Sequence, residues 1–182
     1  MRVTGGEVRG TQLKTLQRHS IRPTTNVARQ AIFSILENIA TNWCQALDLY
    51  AGSGALGIEA LSRKAERVDF VDHRKKCCEL IKYNLEKTGK LDKAHIYCCS
   101  VSKALTFLTN SYDIIFIDPP YSDPSTNNLL VKLAKSKLIG EESIIVVCHA
   151  NRFPLNPDYN GLHLVKQRHY GDTFISIYQS GG

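Results

Sequence analysis

The sequence predicts an α/β protein built on a doubly wound, mostly parallel sheet, and three observations carry that prediction. From about residue 45 to residue 149, short β-branched and aromatic runs alternate with amphipathic stretches. That is the pattern of βαβ units whose helices cover both faces of a sheet. A glycine-rich turn, Gly52-Ser53-Gly54-Ala55-Leu56-Gly57, joins the first of these runs to the helix that follows it. The chain then closes with two runs, 162–169 and 173–178, linked only by Tyr170-Gly171-Asp172, which is short enough to make them an antiparallel pair.

The elements follow in order. From Met1 to about Thr15, the apolar Val3, Val8 and Leu13 are interspersed with Gly5, Gly6 and Gly10, which reads as a short glycine-turned hairpin. Thr24 or Thr25 is placed to cap a helix whose apolar face is Ala28, Ile32, Phe33, Ile35 and Leu36. Strands are expected at 45–49, 67–71, 94–98, 112–117 and 143–149, with helices near 54–63, 74–87, 101–109 and 126–137. A Pro- and Asn-rich loop, 151–161, precedes the closing pair. Residues 1–40 are therefore expected to form a basic hairpin-and-helix extension, and residues 41–182 the main domain.

Composition narrows the function classes. With 182 residues, 43% hydrophobic and 22% charged, the chain can bury the core of one ordinary globular domain. No apolar run reaches the length of a membrane span and no signal-peptide pattern opens the chain, so a cytoplasmic protein is expected. The six cysteines include the adjacent pairs Cys77-Cys78 and Cys98-Cys99, with no CxxC spacing, and the six histidines are scattered. Reduced thiols and no metal site are expected. The net charge of +6 is unevenly spread: Arg2, Arg9, Lys14, Arg18, Arg22 and Arg29 face Glu7 alone in residues 1–29, leaving +5 there. A basic arm beside a catalytic domain points to a polyanion, with Arg2, Arg9, Arg18 and Arg22 as candidate nucleic-acid contacts. Its other reading is a solvated basic face.

Two motifs carry chemistry. Gly52, Gly54 and Gly57 give the GxGxxG spacing after a strand, and Asp72 ends the next strand, placed to accept ribose hydroxyls or else to cap the helix after it. GxGxxG serves a dinucleotide as well as an S-adenosyl group. Asp48, upstream of the glycines, suits a cationic ligand better than a pyrophosphate. The second motif is Asp118-Pro119-Pro120-Tyr121, where two prolines stop a buried strand and turn its carbonyls outward. Asp118 and the Pro119 carbonyl offer two acceptors to a planar amino group, and Tyr121 offers a ring to stack on its face. Hydride transfer has no use for such a turn. The pair of motifs therefore favours methyl transfer from S-adenosyl-L-methionine over nicotinamide chemistry.

In order along the chain, Arg22-Pro23-Thr24-Thr25, Asp48 through Gly57, Asp118-Pro119-Pro120-Tyr121 and Tyr170-Gly171-Asp172-Thr173 resemble the RsmD-type methyltransferases, as does the opening Arg2-Val3-Thr4-Gly5-Gly6. The resemblance runs nearly end to end. It implies the class I S-adenosylmethionine-dependent methyltransferase fold, Rossmann-like, with seven strands ordered 3-2-1-4-5-7-6. It also implies methylation of the exocyclic N2 of one guanine in 16S ribosomal RNA within the small ribosomal subunit, by a monomer. By position, Asp48, Tyr50, Gly52 and Gly54 would line the methionine and ribose side of the cofactor, and Asp72 would hold the ribose. Asp118 and Pro119 would receive the amino group, and Tyr121 would stack on the base. Arg22 and Thr24 would close the site from the amino-terminal side. Ser100 stands where the family often has Asp or Asn against the adenine, and Cys148 where it often has Glu.

Three rivals stay open on the residues alone. Adenine N6 would satisfy Asp118 and Pro119 as well as guanine N2, although a DNA adenine enzyme often carries an inserted recognition domain that this chain has no room for. A non-catalytic RNA-binding assembly factor would fail to bind S-adenosylmethionine, and an oxidoreductase would bind nicotinamide. Trp43, Phe70 and His149 read as structural, and Arg74-Lys75-Lys76 as a solvated helix start.

Overall fold

The computed structural model describes residues 1–16, 26–120 and 123–181. Helix α1 (Asn26–Ile39) precedes an alternating series: β1 (Gln45–Leu49), α2 (Ala55–Arg63), β2 (Arg67–Val71), α3 (Lys75–Thr88), β3 (Ala94–Tyr97), α4 (Val101–Phe107), β4 (Tyr112–Ile117), α5 (Thr126–Ala134) and β5 (Ile139–Ala150). Three further strands, each reached by one short connection, close the chain: β6 (Asp158–Tyr159), β7 (Leu162–Tyr170) and β8 (Thr173–Ser180).

These strands form one sheet ordered β3-β2-β1-β4-β5-β8-β7-β6. The first five are parallel, and β8 inserts antiparallel between β5 and β7. The expected order of seven is present, its last two strands being β7 and β8. The eighth, β6, lies inside the stretch read as loop. Asn160 and Gly161 take positive φ values of 51° and 93°, the backbone of a two-residue reverse turn that pairs Tyr159 with Leu162. Strand β5 also begins earlier than its apolar run, reaching Ile139 across a register shift in its pairing with β4.

Alternation along the strands gives the sheet two cores. Ala46, Phe70, Ile114, Phe116 and Val146 face α1, α2 and α3, while Leu47, Leu49, Val71, Ile115, Ile117 and Val147 face α4 and α5. In β4 the successive residues Ile114 to Ile117 divide between the two, as a strand covered on both faces requires. Trp43 and Phe70 lie in the first core, with Trp43 stacked at 6.0 Å on Phe33. His149 is buried against Ser176 Oγ at 2.9 Å, and burial lowers its pKa. No disulfide joins the cysteines.

The opening segment is more firmly tied down than a free hairpin. It makes one antiparallel bridge, Arg2 to Gln12, and buries Val3 and Leu13 in the first core. Its turn rests on the end of α2. The Glu7 N–H donates to the Ser62 carbonyl at 2.7 Å, and Ser62 Oγ donates to the Gly5 carbonyl at 2.6 Å. A Cβ on Gly6, at φ 77°, would lie 1.8 Å from that Ser62 carbonyl oxygen, so no larger residue fits there. Thr4 donates twice to the buried Glu59. Arg2 and Arg9 are thereby presented to solvent from an anchored loop.

Candidate active site

Because β1 is flanked by β2 on one side and β4 on the other, the winding of the sheet reverses beside it and a crevice opens at the carboxyl ends of β1 and β4. A cavity of about 350 Å³ lies there. It brings together Asp48, Tyr50, Gly52, Asp72, Asp118 and Pro119 of the residues singled out from sequence.

The floor is the turn after β1. Tyr50, Gly52 and Gly54 take φ values of 59°, 60° and 76°. A tyrosine in that left-handed region costs roughly 1–2 kcal/mol, and the turn tolerates it in order to swing the chain from β1 into α2 within a few residues. Gly57 serves closeness of packing: a Cβ there would lie 2.3 Å from the Phe70 ring. The helix therefore sits directly on β2, and the Gly57 N–H reaches Asp48 Oδ2 at 2.9 Å.

The three carboxylates are held differently. Asp48 is buried, and that burial pushes its carboxyl well above the usual range, with the negative charges of Asp118 and Asp72 adding to the push. Burial would raise Asp72 as well, but Arg74 outweighs it and holds this carboxyl below the usual range. Arg74 donates Nε and Nη2 at 3.0 Å to the two oxygens, and the Arg74 and Gly52 N–H groups each add a bond of 2.9 Å. Asp118 follows β4, its N–H 3.5 Å from the Leu49 carbonyl, and lines the cavity with Pro119 and Pro120. The Pro120 carbonyl is turned back to accept from the Asp123 N–H at 2.8 Å.

The remaining residues singled out from sequence lie elsewhere. Ser100 is exposed as the N-cap of α4, its Oγ accepting from the Lys103 N–H at 3.2 Å, and it is not among the residues lining the cavity. Arg18, Arg22, Thr24 and Tyr121 lie outside the described residues. The reading of Arg74-Lys75-Lys76 as a solvated face holds for Lys75 and Lys76 and fails for Arg74, which the nearby Asp72 draws into the cavity wall. Sequence reasoning also passed over Arg29, which lines the cavity and is fully buried. Its signal was present: Arg29, Ile32, Phe33 and Leu36 share one helical stripe, so a charge occupies the buried face of α1. No group of His, Cys, Asp or Glu suited to a metal occurs among the described residues, and no described helix is long and apolar enough to cross a membrane.

Comparisons with known proteins bear on the family and the fold. The profile of the family described as Conserved hypothetical protein 95 matches residues 1–179. The chain is 33% identical to YlbH of Bacillus subtilis over 185 aligned positions, covering 100% of both chains. It is 30% identical to ribosomal RNA small subunit methyltransferase D of Escherichia coli, covering 98% of this chain and 89% of that one. Among solved structures, YhhF of Escherichia coli superposes with a TM-score of 0.86 at 26% identity, covering 99% of this chain and 97% of the other.

Proposed function

This chain belongs to the RsmD-type family of methyltransferases, and from that premise we propose that it methylates ribosomal RNA with S-adenosyl-L-methionine as donor. The finer reading is transfer to the exocyclic N2 of one guanine in 16S ribosomal RNA, within the assembled small subunit. One observation carries the proposal: Asp118 and Pro119 share a single cavity with Asp48 and the glycine turn, so an amino group held at one edge meets a donor held at the other.

The residues present fit the donor. Its sulfonium and ammonium are cationic and the cavity presents three carboxylates, while Gly52 and Asp72 form a backbone-and-carboxylate corner suited to a ribose. When bound, the donor supplies an electrophilic methyl group. Everything else is done by this chain. A guanine amine is a weak nucleophile because its lone pair is delocalised into the ring. Hydrogen bonds from that amine to Asp118 and to the Pro119 carbonyl favour a pyramidal nitrogen with its lone pair aimed at the methyl. Positioning of this kind supplies up to about 7–11 kcal/mol where the geometry is ideal. The Asp118 carboxylate also stabilises the positive charge growing on the nitrogen. Tyr121 stacks on the base, which has left its own stack at a cost of a few kcal/mol. Arg22 and Thr24 close the site, and residues 1–40, with Arg2, Arg9 and Arg18, hold RNA phosphates while residues 41–182 carry the chemistry.

The test is incubation with methyl-labelled donor and three substrates: small-subunit particles, naked ribosomal RNA and duplex DNA. Label is expected in the RNA of the particles. Label in the DNA alone, or in none of the three, overturns the reading.

A further inference from the structure

Arg29 stands out among the charged groups of the molecule. It lies in the first turn of α1, is 0% exposed and lines the cavity. Its Nη2 donates to the Arg2 carbonyl and, at 2.8 Å, to Asn26 Oδ1. The N–H groups on Nε and Nη1 have no acceptor among the described residues. Among the described residues, no carboxylate oxygen lies within 4.0 Å of its guanidinium. Glu59, the acid that acts on it electrostatically, is already occupied by Thr4 and by Arg63 Nε at 3.0 Å. A buried charge without a counter-ion costs several kcal/mol, and buried polar groups left unmet in a folded protein call for an explanation.

We propose that Arg29 binds the α-carboxylate of the donor's amino-acid end through the N–H groups left open on Nε and Nη1. The assignment rests on the donor reading given above. An α-amino acid is a zwitterion, and this cavity holds its complement: Asp48 for the ammonium and Arg29 for the carboxylate. The acidic walls, Asp72 and Asp118, repel anions, and of the two described arginines that line the cavity the second, Arg74, is already occupied by Asp72, so a multiply charged phosphate is a poorer match than a carboxylate. The residue also reaches the Arg2 backbone, which ties occupancy of the cavity to the position of the amino-terminal loop.

Titration calorimetry on the full chain tests this with S-adenosylhomocysteine and its decarboxylated counterpart, identical except for the carboxylate. Wild type is expected to bind the decarboxylated ligand about 10- to 100-fold more weakly, the range for hydrogen bonds to a charged group. Arg29→Lys and Arg29→Gln are expected to weaken S-adenosylhomocysteine while leaving the decarboxylated ligand unchanged, so the ratio collapses. A second reading needs no variant: in arginine-labelled wild type, the Arg29 Nε–H resonance shifts with S-adenosylhomocysteine and not with the decarboxylated ligand. Equal wild-type affinity for the two ligands, or an unchanged ratio in folded variants, overturns the assignment and leaves the donor reading standing. No binding of either ligand overturns both.

Discussion

In one part of the cavity wall Asp72 has both oxygens engaged by Gly52 and Arg74, while in another Arg29 keeps two nitrogens without acceptors among the described residues and Asp48 sits buried with its carboxyl pushed upward. The first arrangement stabilises the fold by itself. The second is costly until a ligand arrives. The difference teaches where binding energy is stored: a site that leaves its charges unmet in the protein reserves them for the ligand. It also implies competition at the satisfied part, because a ribose reaching Asp72 must displace bonds that Arg74 now makes.

The largest expected effect lies at Asp118, on the β4 side of the cavity. Asp118→Ala should lower methyl transfer by about 10²- to 10³-fold, the range for losing one group that stabilises developing charge. Affinity for S-adenosylhomocysteine should stay within error of wild type, measured by calorimetry. A parallel loss of binding would place Asp118 with the donor-binding parts instead. Gly57→Ala comes next. Its Cβ would meet the Phe70 ring at 2.3 Å, so overpacking should cost about 1–3 kcal/mol in chemical unfolding. Because the Gly57 N–H holds Asp48, donor affinity should fall with stability.

The two acids should respond to pH in opposite senses. Asp72 has a lowered pKa in the folded protein, so its contribution is present above the ordinary carboxylate value and disappears as pH falls through the folded one. Asp72→Asn should therefore flatten the acid side of a stability profile. Asp48 has a raised pKa, so the native state binds the extra proton, and stability declines as pH rises from the ordinary value through the raised one. Asp48→Asn should raise the Tm of the ligand-free protein near neutral pH by about 2 °C or more, the shift that ~1 kcal/mol gives a chain of this size, while weakening the donor. Identical pH responses in the two variants would erase the contrast between the two parts.

Much of the fold was legible because each parallel strand is a short apolar run and each helix has one apolar stripe. β1, β2 and β4 were bounded by those patterns alone. The two-residue β6 is too short for any period, although Asn160-Gly161, read on its own, announces the turn that creates it. At the site, Asp48, Asp72 and Asp118 were found because motif spacing fixes where the strands end. Arg74 was misread because pairing with a residue just upstream looks, in sequence, like an ordinary charged helix start. Arg29 was passed over because it was counted with the basic arm, and net charge says nothing about which face of a helix a residue occupies. Ser100 shows the converse: its position in the family pattern gives no sign that its side chain caps α4.

The central claim is that the Asp118-Pro119 edge presents a guanine amine to a methyl donor held by the rest of the cavity. Nucleoside mass spectrometry of small-subunit RNA after reaction tests it most directly. N2-methylguanosine at a single site, absent when Asp118→Ala replaces the wild type, is the predicted result. N6-methyladenosine in its place, or N2-methylguanosine formed equally well by Asp118→Ala, would contradict it.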